Sequence, residues 1–225
     1  MRMYHIAPTL LCADLFQMRE SMDILDRMGI DWFHIDVMDG SFVPNFAFGT
    51  DFLRQMTAVG KSPFYLHLMV TRPEEYVDLY AEAGVEYYCF HYEAVKNPFR
   101  LCQKIRVQGM KPAIALNPAA PIHVLRDLIP YLDAVTLMSV EPGFSGQNFM
   151  DFTYRRIGAL RAMAKGHKLL IEVDGGIDNE IAKKCIDAGC DVVVGGYFTL
   201  FQKGKSIEDN YEAFQRAVEG CRTGG

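Results

Sequence analysis

Short apolar runs alternate with amphipathic segments along the whole chain, and this eightfold alternation is what most limits the folds open to it. His5–Thr9, Trp32–Val37, Phe64–Met69, Tyr87–His91, Pro112–Leu116, Ala134–Met138, Leu169–Asp174 and Val192–Gly195 each read as a strand. All are rich in β-formers or aliphatics and bounded by Gly, Pro, Asp or Asn. Between them, Gln17–Met28, Pro73–Ala83, Pro98–Gln108 and Glu180–Ala188 read as helices. Pro73 and Pro98 fall in first helical turns, where a missing N–H is tolerated, and Gly84 and Gly189 fall just past helix ends. Eight such units in 225 residues predict an α/β chain, a single (β/α)8 TIM barrel over residues 1–225. A doubly wound sheet usually has fewer strands. No low-complexity segment, Ser/Pro-rich linker or charge block divides the chain.

The net charge of −5 argues against a nucleic-acid partner, which requires a basic face. A local anion site built from backbone amides remains open. The apolar stretch after His5 is broken by Asp14, too early for a signal segment, and no run reaches membrane-spanning length. A cytoplasmic protein without a membrane partner is the expectation. The six cysteines are scattered with no Cys-x-x-Cys pair, and so read as reduced thiols.

Catalytic groups of such barrels project from the C-terminal ends of the strands. In Phe33-His34-Ile35-Asp36-Val37-Met38, the twofold alternation of a strand puts His34, Asp36 and Met38 on one face. His67 and Met69 share a face of the third strand, and the seventh, Leu170-Ile171-Glu172-Val173-Asp174, again turns its acids away from its aliphatics. A His or Asp facing a barrel lumen is costly unless it is paired, hydrogen-bonded or metal-bound. Taken singly, each fits a hydrogen-bonded structural group. Two His and two Asp at the ends of three strands also make a ligand set for a divalent transition metal, and zinc, iron(II), manganese and cobalt all suit it.

A second signal is anionic. Met138-Ser139-Val140-Glu141-Pro142-Gly143-Phe144-Ser145-Gly146-Gln147 follows the sixth strand, Asp174-Gly175-Gly176 the seventh, and Gly195-Gly196 the eighth. Such glycines either make tight turns or let backbone N–H groups close on a ligand, and barrel phosphate sites use these loops.

From about Ile6 to Phe201 the chain resembles the ribulose-phosphate 3-epimerase family. The motifs carrying the resemblance are Ala7-Pro8-Thr9-Leu10, His34-Ile35-Asp36-Val37-Met38-Asp39-Gly40-Ser41-Phe42-Val43-Pro44-Asn45, His67-Leu68-Met69-Val70, Leu116-Asn117-Pro118, the Met138–Gln147 loop and Glu172-Val173-Asp174-Gly175-Gly176. The resemblance implies interconversion of D-ribulose 5-phosphate and D-xylulose 5-phosphate through a cis-enediolate. It implies one divalent metal ion per subunit, zinc first and Fe2+, Mn2+ or Co2+ after it, held by His34, Asp36, His67 and Asp174. Asp36 and Asp174 would be the catalytic acid/base pair on opposite faces of the substrate. Thr9, His67, Met38, Met69, Met138, Gly143, Phe144, Ser145, Gly146, Gly175, Gly176, Gly196 and Tyr197 would bind it. A homo-oligomer, dimer or hexamer, is implied as well.

Inversion beside a ketone needs a proton removed from one face and delivered to the other, so a pair of carboxylates suits the chemistry. A metal on the C2 and C3 oxygens would offset the charge that develops, and thioethers can line a planar intermediate, though methionines also fill cores. Three positions depart from the family pattern: Thr9 replaces Ser, Ser41 replaces His, and Gly196-Tyr197-Phe198 replaces Gly-Ser or Gly-Thr. The last keeps N–H donors but loses a small hydroxyl, which keeps an allulose-6-phosphate 3-epimerase or related ketose 3-epimerase in view. A phosphate-binding barrel decarboxylase ranks below both, because the Asp-x-Met-Asp strand offers no lysine. A non-catalytic sugar-phosphate binder is the remaining class. The aromatic Phe42–Phe48 segment reads as a cover over the substrate.

Overall fold

The computed structural model describes residues 4–221. Its strands are β1 (His5–Pro8), β2 (Phe33–Asp39), β3 (Phe46–Ala47), β4 (Phe64–Met69), β5 (Tyr87–His91), β6 (Lys111–Leu116), β7 (Ala134–Met138), β8 (Leu170–Asp174) and β9 (Val192–Gly195). They form one sheet in the order β1-β9-β8-β7-β6-β5-β4-β2-β3. All neighbours are parallel except β3, which pairs antiparallel with the end of β2 through Met38–Ala47 and Asp39–Phe46. A parallel bridge between Thr9 and His34 joins β1 to β2 and closes the eight parallel strands into a barrel. The α/β barrel expected from the alternation is present.

The helices are α1 (Met18–Arg27), α2 (Thr50–Val59), α3 (Val77–Glu82), α4 (Pro98–Val107), α5 (Thr153–Met163), α6 (Asn179–Asp187) and α7 (Ile207–Val218). The Pro73–Ala83 prediction resolves into a 3-10 turn at Pro73–Glu75 followed by α3. α1 likewise starts at Met18, after a 3-10 turn at Leu15–Gln17 in which the Phe16 N–H donates to the Asp14 carboxylate. Thr9, predicted as strand, instead caps the next turn, its hydroxyl accepting from the Leu11 N–H.

Between β6 and β7 the chain makes only 3-10 turns, Ile122–Leu125 and Ile129–Tyr131. Pro118, Pro121 and Pro130 lie in this crossover, and each removes a donor that an α-helix would need. Arg156 of α5 fills the gap. Its buried guanidinium donates to the carbonyls of Pro118 (2.7 Å), Asn117 (2.9 Å) and Ala120 (3.1 Å).

Strand alternation sorts the core into two regions. Ile35, Leu66, Leu68, Ile114, Val135 and Ile171 face outward against the helices. The lower lumen packs Trp32, Tyr65 and Tyr87 with Ala113, Ala115 and Ala134 in one buried cluster. Tyr87 lies with its centroid 5.1 Å from that of Tyr65 and 5.8 Å from that of Trp32. Large rings packed beside small alanines give the polar side chains above them an apolar, aromatic floor. Among the described residues, no helix is long and apolar enough to cross a membrane, and all six cysteines are free thiols.

Candidate metal centre and active site

Above the aromatic floor, the inward positions of β2, β4 and β8 bring His34, Asp36, His67 and Asp174 together. His67 Nδ1 lies 3.0 Å from Asp36 Oδ1, 3.3 Å from His34 Nε2 and 3.5 Å from Asp174 Oδ2. His34 Nε2 is 3.3 Å from Asp36 Oδ1 and 3.7 Å from Asp174 Oδ2. One ligand atom from each residue lies within 4.8 Å of all the others. Donors on one first-row cation at about 2.1 Å are at most about 4.2 Å apart, so a small contraction suffices. Two imidazoles facing each other and two carboxylates fit a divalent transition ion in both charge and donor type.

The remaining nitrogen of each histidine faces a further polar group. His34 Nδ1 lies 3.4 Å from Glu172 Oε1, which accepts the Thr136 hydroxyl at 2.8 Å; Thr136 is in turn 2.8 Å from the Tyr65 hydroxyl. His67 Nε2 lies 2.9 Å from His91 Nε2. The Thr9 hydroxyl donates to Asp36 Oδ2, so the Ser-to-Thr departure keeps its hydrogen bond.

The two aspartates are pushed in opposite directions. Burial raises Asp36, but His34 and His67 outweigh it and hold the group far below the usual carboxylate range. Burial pushes Asp174 up to about 6, with His34 opposing the rise and the charge of Asp36 adding to it. Burial lowers His34, yet Asp36 and Glu172 more than offset this and raise it well above the ordinary imidazole value. One carboxylate kept ionised beside one drawn towards protonation is the arrangement acid–base chemistry uses. Burial also pushes His91 down to about 4, keeping it neutral, and the Cys12 thiol up to about 12, so that cysteine is no nucleophile.

Asp36 and Asp174 open into a cavity of about 570 Å³, counting its mouth, and His34 and His67 lie beneath it. Of the residues expected to bind substrate, Thr9, Met38, Met69, Met138, Gly143, Phe144, Ser145, Gly146, Gly175, Gly176, Gly196 and Tyr197 line it and His67 does not. So do Leu11, Cys12, Val140, Pro142, Ile177, Val194 and Phe198, which sequence reasoning did not select. Gly176, at φ 66°, has no room for a side chain: a Cβ would meet Gln147 O at 2.6 Å and Phe149 N at 2.7 Å. Its backbone and that of Gly175 therefore form the wall of the cavity, where N–H groups can meet an anion.

The Phe42–Phe48 segment does not cover this cavity. Its Val43 packs beneath Gly143, and Asn45 Nδ2 donates to Gly143 O at 2.8 Å. The loop braces the rim, and the 142–146 and 197–198 segments form the mouth. Ser41 is exposed; its N–H binds the Asp39 carboxylate, so the His-to-Ser change falls outside the lining. Glu172 and His91 were also missed as site residues. Both stood on inward strand faces, and that periodicity was the available signal.

A closed βα barrel whose lumen gathers two His and two Asp from β2, β4 and β8 carries a candidate metal centre beside a pocket at the barrel mouth. The model of the ribulose-phosphate 3 epimerase family matches residues 5–200. The chain belongs to this family and is an epimerase of the isomerase class. It is 40% identical over 197 residues to a ribulose-phosphate 3-epimerase from Treponema pallidum, covering 87% of this chain and 90% of the relative. It is 39% identical over 197 residues to one from Bacillus subtilis, with 86% and 91% covered. Among solved structures, the orotidine 5'-phosphate decarboxylase of Pyrococcus horikoshii OT3 superposes with a TM-score of 0.68 at 15% identity, covering 96% of this chain and 99% of that one. That likeness concerns the fold alone.

Proposed function

We propose that the enzyme interconverts D-ribulose 5-phosphate and D-xylulose 5-phosphate, with Asp36 and Asp174 as the acid/base pair at C3. The observation carrying this reading is that both carboxylates border one cavity, approach the same His67 nitrogen at 3.0 and 3.5 Å, and are driven to opposite protonation tendencies. One removes the C3 proton while the other delivers a proton to the opposite face, and their roles exchange in the reverse direction. His34, Asp36, His67 and Asp174 would hold a divalent cation, whose positive charge would offset the negative charge that develops as the C3 proton leaves. Met38, Met69 and Met138 form an apolar wall that keeps water from the planar intermediate. The backbone of Gly175, Gly176, Gly196 and Tyr197 takes the phosphate. No lysine lines the cavity among the described residues, which weighs against the decarboxylase reading.

Deuterium incorporation at C3, followed by NMR in D2O with ribulose 5-phosphate and allulose 6-phosphate in parallel and divalent metal added, tests this. Exchange with formation of xylulose 5-phosphate is expected. Faster turnover of allulose 6-phosphate would transfer the assignment to the hexose phosphate, and silence with both sugars in folded, metal-loaded protein would remove it.

A further inference from the structure

His67 differs from the other ligand candidates in being backed by a second histidine. Its Nδ1 faces the centre, and its Nε2 lies 2.9 Å from Nε2 of His91 at the end of β5. One proton fits between those nitrogens. If His91 carries it, the proton of His67 is forced onto Nδ1, where it blocks coordination; if His67 carries it, Nδ1 offers a lone pair.

The surroundings of His91 decide between these. Its Nδ1 faces the Glu93 carboxylate, with Oε2 at 3.6 Å, and the Asn117 side chain interacts with the same imidazole. Asn117 Oδ1 and His91 Nδ1 are both buried and make no hydrogen bond, so the nearby carboxylate acts on Nδ1 through its charge. Glu93 is itself fixed, since its Oε1 accepts the Asn117 backbone N–H at 3.0 Å. A carboxylate can only accept, so it draws the His91 proton to Nδ1 and leaves Nε2 free to accept. The ring has no freedom to turn away: His91 is fully buried, with the Phe42 centroid at 4.6 Å and that of His67 at 5.0 Å.

We propose that His91 is a positioning residue for the metal centre, accepting the Nε2 proton of His67 and thereby fixing His67 as an Nδ1 ligand. Glu93 and Asn117 orient His91 in turn. This rests on the metal reading of the His34–Asp36–His67–Asp174 cluster. His34 reaches the same result more directly, through the acid Glu172.

The test is cobalt(II) titration of the metal-free full chain, read by the visible absorption of the bound ion and by competition with a chelator. His91→Phe fills the space but offers no acceptor; His91→Gln places an amide oxygen near the lost Nε2. His91→Phe is expected to weaken cobalt binding by about 10–100-fold and to alter the visible band, whereas His91→Gln stays within about threefold of wild type. A space-filling role predicts the reverse order, with Phe the better replacement. Wild-type cobalt affinity in His91→Phe overturns the proposal and leaves the metal reading intact, while a wild-type chain that binds no cobalt overturns both. Should neither variant fold, two-bond proton–nitrogen NMR of the zinc-loaded wild type supplies the answer. A proton on His91 Nδ1 supports the proposal, and one on His91 Nε2 overturns it.

Discussion

Asp174 borders the cavity as a carboxylate drawn towards protonation by burial, beside an Asp36 held ionised by two imidazoles. Asp174→Asn keeps the shape and removes the exchangeable proton, so kcat is expected to fall by at least about 10³-fold with far-ultraviolet circular dichroism unchanged. Tyr197, partly exposed at the mouth, sits where the family carries a small hydroxyl; Tyr197→Ser is expected to shift KM and the pentose-to-hexose preference rather than the melting temperature. Asp39 works through structure instead. Its carboxylate accepts the N–H groups of Ser41, Phe42 and Thr71, each at 2.8 Å, and the Thr71 hydroxyl at 2.9 Å. Burial opposes ionisation, but these donors outweigh it and lower the group below its ordinary 3.8. The ionised form is thus favoured by folding, and its contribution is full above that value and lost as pH falls through the lowered one. Asp39→Asn should cost about 1–3 kcal/mol in urea denaturation at pH 7, a difference that shrinks in acid. His34, Asp36, His67 and Asp174 were legible in the sequence because a strand's period of two is rigid. The duties of Asp39, Glu172 and His91 were not, because Thr71, Thr136 and His67, which they meet, lie 32, 36 and 24 residues away and no local pattern records those pairings.

At the scale of elements, the eight parallel strands were legible to within a residue or two, since short β-rich runs bounded by turn formers have few alternatives, whereas the two-residue β3 was not. The crossover between β6 and β7 was not. Its place in the alternation implied a helix, yet three prolines deny it one, and the carbonyls left over are met by a side chain from α5. Arg156 is 7% exposed, so water is a poor substitute for it there. Arg156→Leu is expected to lose at least about 3 kcal/mol of stability, because three carbonyls are stranded together. Arg156→Lys should recover only part of this, as one ammonium cannot span the positions a planar guanidinium reaches. Denaturation midpoints of the two variants check the order. Equal stability of Arg156→Leu and wild type would show that water serves these carbonyls well enough.

For the whole molecule, the position of the charged cluster matters more than its composition. β2 and β4 are neighbours in the barrel, whereas β8 stands apart from them, separated by β9 and β1 on one side and by β5 to β7 on the other. His34, Asp36 and His67 come from the first pair and Asp174 from β8, so a shared cation would tie opposite walls of the lumen together. Without it, the walls are linked at this level only by the contacts of the two carboxylates with the two imidazoles. A ligand that binds only the folded chain stabilises it by about 4 kcal/mol at a thousand times its dissociation constant. For a chain of this size that corresponds to roughly 8–16 °C in melting temperature. Chelation of metal-loaded protein is therefore expected to lower the melting temperature by about that amount, and added zinc or cobalt to restore it. In a His67→Ala variant the chelator-induced drop should shrink strongly, because the link between the walls has lost a ligand. An equal drop in the variant would place the stabilising ion elsewhere on the protein. No drop in wild type would mean that the barrel holds the four side chains together through their hydrogen bonds and its aromatic floor alone.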